Sequence, residues 1–361
     1  MLKKIQKILL ENPKIKARVI AKKLSVDRSL VSVFLRENLN HFEQDEDYCW
    51  SVKTSGLRIE FESDSWIDCK KFEKTLSAVE SPLQSQANAI VFIIPKGCNL
   101  LLEVIARLIA LANQLAHQGK KVTIDFSSHR SSFTYVNRIG FFDHLHEKVI
   151  VLPNRPKISS AEVYKENNDN LVELAPIDAN NLDETIPERF KKVFVSHAGD
   201  EYEQTAFTII SESYGNVRDH SKSPLLGFIG LQLYQNVSPP HIQTVISDSG
   251  AGILNTLKLV LDEKYPEIAE QMRAVDISPD VYLLKKVFTE GHISQSYDEG
   301  RGLGLNSSAI AASKFNATIG VRQENCEVRF FYRNGRLTNI THQTDMPSIL
   351  GTHICFDFKL D

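Results

Sequence analysis

Glu212, Asn216 and His220 stand four residues apart in SESYGNVRDHS (211–221), a helix-like stretch that also accepts Gly215. Residues at i and i+4 point from one side of a helix, so an acid, an amide and an imidazole fall in one row. The amide can give an oxygen to a hard cation, and the carboxylate can take a proton. A glycine inside a helix costs roughly 1 kcal/mol against alanine, so Gly215 needs a local reason. Room for a neighbouring element is the expectation. A polar stripe by itself is ordinarily a solvated face, and this row needs company before it reads as a site.

Two further stretches supply that company. VISDSGAGI (245–253) runs an apolar strand into Asp248, Ser249, Gly250, Ala251 and Gly252. EGRGLGLNSSAIAASKF (299–315) leads Gly300, Arg301, Gly302, Leu303 and Gly304 into a helix. A carboxylate at a strand end can accept from an N–H donor, and glycines let a chain bend where a Cβ would collide. Backbone N–H groups at a helix start favour phosphate oxygens. The glycine run fails as a dinucleotide fingerprint, because Leu305 stands where the third glycine belongs. No GxxxxGK[ST] occurs anywhere in the chain, so a P-loop is excluded.

In this order, and followed by paired strands, the three stretches resemble the GHKL ATPases, whose fold is the Bergerat or histidine-kinase-like α/β sandwich. The resemblance spans residues 201–361 and implies ATP and Mg²⁺ as cofactors. It implies that Asn216 ligates the metal and that Glu212 is the general base for water attacking the γ-phosphate. Asp219 and His220 would approach the nucleotide edge, and Asp248 would accept from the exocyclic amine of adenine. Gly250 and Gly252 would lie against the base, with Gly300, Arg301, Gly302, Leu303 and Gly304 around the phosphates. Thr352, in ILGTHICFDFKL, would support Asp248 with its hydroxyl. Residues about 253–300 correspond to the ATP lid, expected as a long loop with a hinge at Phe288–Gly291.

The elements that must position this site belong to an expected α+β, multidomain chain of 361 residues. Residues 1–52 read as a winged helix-turn-helix: helices over Leu2–Glu11, 16–24 and 28–38, the last capped by Asp27, then two short strands. Residues 1–40 hold ten Lys or Arg against three Asp or Glu, which suits DNA contact through Arg28, Ser29, Ser32 and Arg36. The strand tip carries Glu43, Asp45, Glu46 and Asp47, which a DNA backbone would repel, so protein docking is the favoured use. Residues 57–152 alternate strand and helix: a buried strand at 90–95, a long amphipathic helix closed by Gly119, a strand at 121–126 and a helix over 132–145 broken at Gly140. This α/β region, with YVNRIGFFDHL, resembles STAS domains fused to ATPases. Phosphorylated STAS proteins carry a serine at the start of the long helix; here Cys98 and Asn99 stand there, which argues for a scaffold. Residues 153–200 read as a linker leading into a helix over 188–198.

No apolar run approaches the ~18 residues of a membrane span, and MLKKIQKILLEN reads as a helix, not a signal peptide. Five cysteines without CxxC spacing favour reduced thiols and a cytoplasmic protein. The expected function is an ATPase whose nucleotide state regulates contacts of the N-terminal regions with a protein client or DNA. The alternatives are a protein kinase of the anti-sigma or histidine-kinase type, and an ATP-gated DNA-binding regulator without hydrolysis. An ATP-dependent homodimer is a further expectation from the resemblance.

Overall fold

The computed structural model describes residues 1–12, 14–39, 41–45, 47–52, 56–165, 171–178, 180–181, 183–294 and 304–360. The fold is mixed α/β with several sheets. It forms two compact units, Met1–Leu57 with Gln86–Ile90, and Arg58–Ser85 with Val91–Asp361.

The first unit holds α1 (Leu2–Glu11), β1 (Ile15–Lys16), α2 (Ala17–Leu24), α3 (Arg28–Glu37), β2 (Phe42–Gln44) and β3 (Cys49–Val52). Its antiparallel sheet has the order β1-β3-β2. Asp27 caps α3 as its sequence position predicts, its carboxylate accepting the Ser29 N–H at 2.7 Å. Ile5, Leu9, Ile20, Val31, Leu35 and Trp50 fill a small core. On α3, Leu30 and Val33 turn outward and are 58% and 54% exposed.

Next along the chain come β4 (Leu57–Glu60), β5 (Trp66–Ile67), α4 (Cys69–Ser77), β6 (Ala89–Ile93), β7 (Asn99–Leu100) and α5 (Leu102–His117). β8 (Lys121–Asp125), α6 (Arg130–Arg138), β9 (Ile150–Leu152) and α7 (Ser160–Val163) follow. One sheet has the order β4-β6-β8-β9, and β5 pairs with β7. β8 and β9 are parallel, joined by α6 as a βα crossover requires. α6 stops at Arg138, ahead of the sequence expectation, and Gly140 turns the chain with φ +86°.

Helix α5 departs from the amphipathic expectation. Every residue from Leu102 to Ala116 is buried, Glu103, Arg107, Asn113 and Gln114 included. It lies between two sheets, touching β8 on one side and the strands described next on the other, so no side faces water.

Those strands begin with β10 (Leu171–Ile177), inside the stretch expected as a linker, where LVELAPI joins a sheet edge. α8 (Thr185–Ala198), α9 (Glu203–His220), β11 (Gly227–Tyr234) and β12 (His241–Ser247) come next. The expected lid loop instead carries four helices: α10 (Gly252–Lys258), α11 (Leu261–Lys264), α12 (Pro266–Ala274) and α13 (Pro279–Thr289). Val281, Leu284, Val287 and Phe288 bury that segment in the main core, which is why it folds. α14 (Gly304–Ser313), β13 (Ala317–Gln323), β14 (Cys326–Arg333), β15 (Arg336–Gln343) and β16 (His353–Lys359) complete the unit. The seven-stranded sheet has the order β10-β11-β12-β16-β13-β14-β15, and every neighbouring pair is antiparallel.

Strand alternation gives this sheet two unlike faces. Ile319, Val321, Val328, Phe330, Ile354 and Phe356 join the core under α8, α9 and α14. The alternate residues Arg322, Glu327 and Arg329 meet α4 and α5 in a buried charge network. Arg107 Nη1 lies 2.8 Å from Glu73 Oε1, and its Nη2 lies 2.5 Å from Glu327 Oε1. Arg322 Nε reaches Glu73 Oε1 at 3.1 Å, and Arg329 Nη2 reaches Glu103 Oε2 at 3.2 Å and Glu327 Oε1 at 3.0 Å. Three carboxylates therefore face three guanidiniums.

Burial opposes the charge on Glu327, yet Arg107 and Arg329 hold its pKa down at about 2. A depressed carboxylate stabilises the fold above its unfolded pKa, and that contribution is lost as pH falls through the folded value. Glu327→Gln is expected to cost about 3 kcal/mol at pH 7, with the deficit shrinking between pH 4.5 and pH 2. Urea unfolding of both proteins across that range checks it; equal stability at pH 7 refutes it.

Candidate functional site

Strand register assembles one end of the site. β12 and β16 pair antiparallel with Ser247 opposite His353, so the next residue of one chain and the previous residue of the other, Asp248 and Thr352, must be neighbours. The Asp248 N–H donates to the Thr352 carbonyl at 2.9 Å. Gly351 makes the crossing possible: its φ is +95°, and a Cβ there would lie 2.1 Å from the Asp248 carbonyl oxygen. The carboxylate accepts the Gly250 N–H at 2.6 Å and takes further bonds from Thr352 and the Ser221 side chain. Burial nevertheless dominates and raises its pKa to about 6.

The other end is built from α9 and the start of α14. Both helices pack tightly, and a Cβ at Gly304 would sit 2.3 Å from Glu212 Oε2 and 3.7 Å from Asn216 Nδ2. The first and third motifs therefore meet at a glycine. Asn216 Nδ2 is buried and has no hydrogen-bond partner among the described residues. A buried N–H donor left so costs about 1–3 kcal/mol, which a bound group with oxygen acceptors would relieve.

Between the two ends lies a cavity of about 450 Å³. Glu212, Asn216, Asp219, Asp248, Gly252, Gly304 and Thr352, all expected from the sequence, line it. Ile246, Ile253, Leu257 and Ile354 supply apolar walls. The volume and the mix of apolar walls with a few convergent polar groups are those of a small-molecule site. Asp219 is bound by its neighbour Arg218, Nε to Oδ1 at 2.6 Å and Nη2 to Oδ2 at 3.0 Å. Among the described residues no three His, Cys, Asp or Glu side chains gather to hold a metal. A cation here would lean on Asn216 and on oxygens of the ligand.

Several expectations change. Gly250 does not line the cavity; a Cβ there would meet the Ser221 carbonyl oxygen at 2.0 Å, so the crowding comes from the end of α9, not from a ligand. Gly252 does line it, yet its Cβ would meet Gln323 Oε1 at 2.7 Å. No neighbouring element crowds Gly215: the nearest atom to its Cβ position is Arg218 Nη2, of its own helix, at 3.8 Å, and Gly215 lines the cavity. Gly300, Arg301, Gly302, Leu303 and the His220 side chain lie outside the described residues. Ser221 belongs to the site and was overlooked, although it ends the quoted helix motif. Gln114, on α5, donates to Ser249 Oγ at 2.9 Å beside the site, and its place in the sequence carries no signal of that role.

No protein-family model matches this chain, and no curated protein matches it.

The two glycines give different predictions. Gly215→Ala is expected to stabilise the ligand-free protein by up to about 1 kcal/mol, because the methyl meets only the Arg218 side chain at ordinary contact distance and helix propensity rises. Gly304→Ala is expected to leave stability close to wild type while displacing the exposed Glu212 carboxylate from its place beside α14. Melting curves of the two variants test this, and a Gly215→Ala protein less stable than wild type refutes the first.

Asp248 gives a prediction with a definite sign. Its folded pKa lies above the ordinary carboxylate value, so protonation favours the folded state and stability falls as pH rises from about 4 to 6. Asp248→Asn is expected to be more stable than wild type by about 1–3 kcal/mol at pH 7.5, and the gain should vanish at pH 4. A gain independent of pH would show that the carboxylate is not ionised at the cost described.

Proposed function

We propose that this chain is a Mg²⁺-dependent ATP-binding protein of the GHKL type and that it hydrolyses ATP. One observation carries the reading: side chains from three separate sequence motifs, Glu212 with Asn216, Asp248 with Thr352, and the glycine start of α14, converge on a single cavity. The ionised Asp248 end, flanked by Ile246 and Ile354, suits a flat base with an exocyclic amine, hence adenine. The Gly304 end suits phosphates, since a helix start favours anions. The unpartnered Asn216 N–H suits a phosphate oxygen, and the oxygen of the same amide is the atom that would ligate Mg²⁺. Magnesium, when bound, neutralises phosphate charge. Glu212 orients the attacking water and accepts its proton, while the apolar walls limit access of other water.

The same proposal takes the first unit as a winged helix and the four-stranded layer as STAS-like, with the nucleotide state governing what they contact. Exposed Leu30 and Val33 on α3 support a protein client over a DNA backbone. Among the described residues no helix is long and apolar enough to cross a membrane.

Phosphate release from ATP with Mg²⁺ tests the reading. Asn216→Ala is expected to abolish Mg²⁺-dependent ATP binding. Glu212→Ala is expected to keep binding and lose roughly 10²–10⁴-fold of turnover. ATP affinity should fall about tenfold per pH unit below about 6, as Asp248 takes up its proton. Wild-type turnover in Glu212→Ala would remove that residue from the mechanism, and labelled phosphate on protein would turn the assignment to a kinase.

A further inference from the structure

Helix α5 reaches the site from behind through one side chain. Gln114 is buried, and its amide makes three hydrogen bonds, all to loops that build the base-binding end. Nε2 donates to Ser249 Oγ at 2.9 Å and to the Leu350 carbonyl at 2.9 Å, and Oε1 accepts the Leu350 N–H at 2.9 Å. Ser249 adjoins Asp248, and Leu350 adjoins the Gly351–Thr352 pair that crosses it. Gln114 thus closes a bridge between the two loops whose closeness defines the Asp248 environment. The segment before Leu350 is held from the same side: Arg322 Nη1 donates to the Ile349 carbonyl at 3.3 Å, and Arg322 is paired with Glu73 of α4.

We infer that Gln114 is a positioning residue for the base-binding end of the cavity, and that through it the four-stranded layer is coupled to whether that end is occupied. This rests on the ATP reading for the identity of the ligand, but not for the position of the loops. A ligand that pulls on Asp248 must either keep the Ser249 and Leu350 bonds or strain them, and α5 bears that strain because it is packed on both sides. Conversely, a partner that shifts α5 alters the Asp248–Thr352 spacing and so the affinity for the base.

The test compares full-length wild type, Gln114→Met and Gln114→Glu. Methionine keeps volume and loses all three bonds; glutamate still accepts from Leu350 N–H and from the Ser249 hydroxyl but has no donor for the Leu350 carbonyl. Calorimetric titration with ATP and Mg²⁺ is expected to show a tenfold or greater loss of affinity in Gln114→Met, with part of it recovered in Gln114→Glu. Preference for ATP over GTP should narrow while the Mg²⁺ dependence stays. Amide hydrogen exchange without nucleotide is expected to speed up at least tenfold in 248–252 and 349–352 and to stay unchanged in the rest of the second unit. Unchanged affinity and exchange, or faster exchange spread over α5 and both sheets, overturns the inference. Wild type that binds no ATP, with the local loosening still seen, sinks the ATP reading and leaves the positioning role standing. If Gln114→Met does not fold, Ser249→Ala removes one bond from the loop side, and a roughly threefold loss of affinity with local loosening is the supporting result.

Discussion

A balanced set of buried charges fixes how the second unit is layered. Glu73, Glu103 and Glu327 meet Arg107, Arg322 and Arg329 where α4 and α5 cover the polar face of the seven-stranded sheet. Such a set adds little net stability over well-packed apolar side chains, because each charge gives up water. Its effect is on alternatives. A packing that slides α5 by one turn leaves a guanidinium or a carboxylate buried alone, at a cost of several kcal/mol. The arrangement seen is the one in which all six are paired.

The site inherits this constraint. β12 and β16 carry Asp248 and Thr352 at their ends, and both strands rest on α5. The apolar face of the same sheet holds α9 and α14, which bring Glu212, Asn216 and Gly304 together. One sheet therefore supports the cavity on one face and the charge network on the other. A buried carboxylate with a pKa near 6 persists at the strand end because several short donors surround it and the strand register leaves it nowhere else to go.

What could be read in the sequence was local. The Asp27 cap, the α9 row, the strand running into Asp248 and the helix after Gly304 each depend on residues within a few positions of one another. What could not be read was long-range. Glu73 and Arg322 are 249 residues apart, and each resembles a solvated charge until the other is in place. The same applies to α5, whose polar residues suggest a wet side only because their partners lie in strands far along the chain. Gly215 misled for a different reason: only the side chain of Arg218, on its own helix, comes near its Cβ position, and the absence of a neighbouring element there has no sequence pattern.

The burial of α5 on every side has a kinetic consequence. The helix connects to β8 through a short turn, but its other cover comes from β12 and β16, and the Gln114–Leu350 bonds close a loop of 236 residues. Closing long loops before contacts reward them slows folding. Until β11, β12 and β16 have followed, the side of this apolar helix that they cover lacks its partners. The nascent chain thus carries a sticky, partly covered helix well beyond the helix's own synthesis, and its maturation depends on holding that surface away from other chains until those strands arrive.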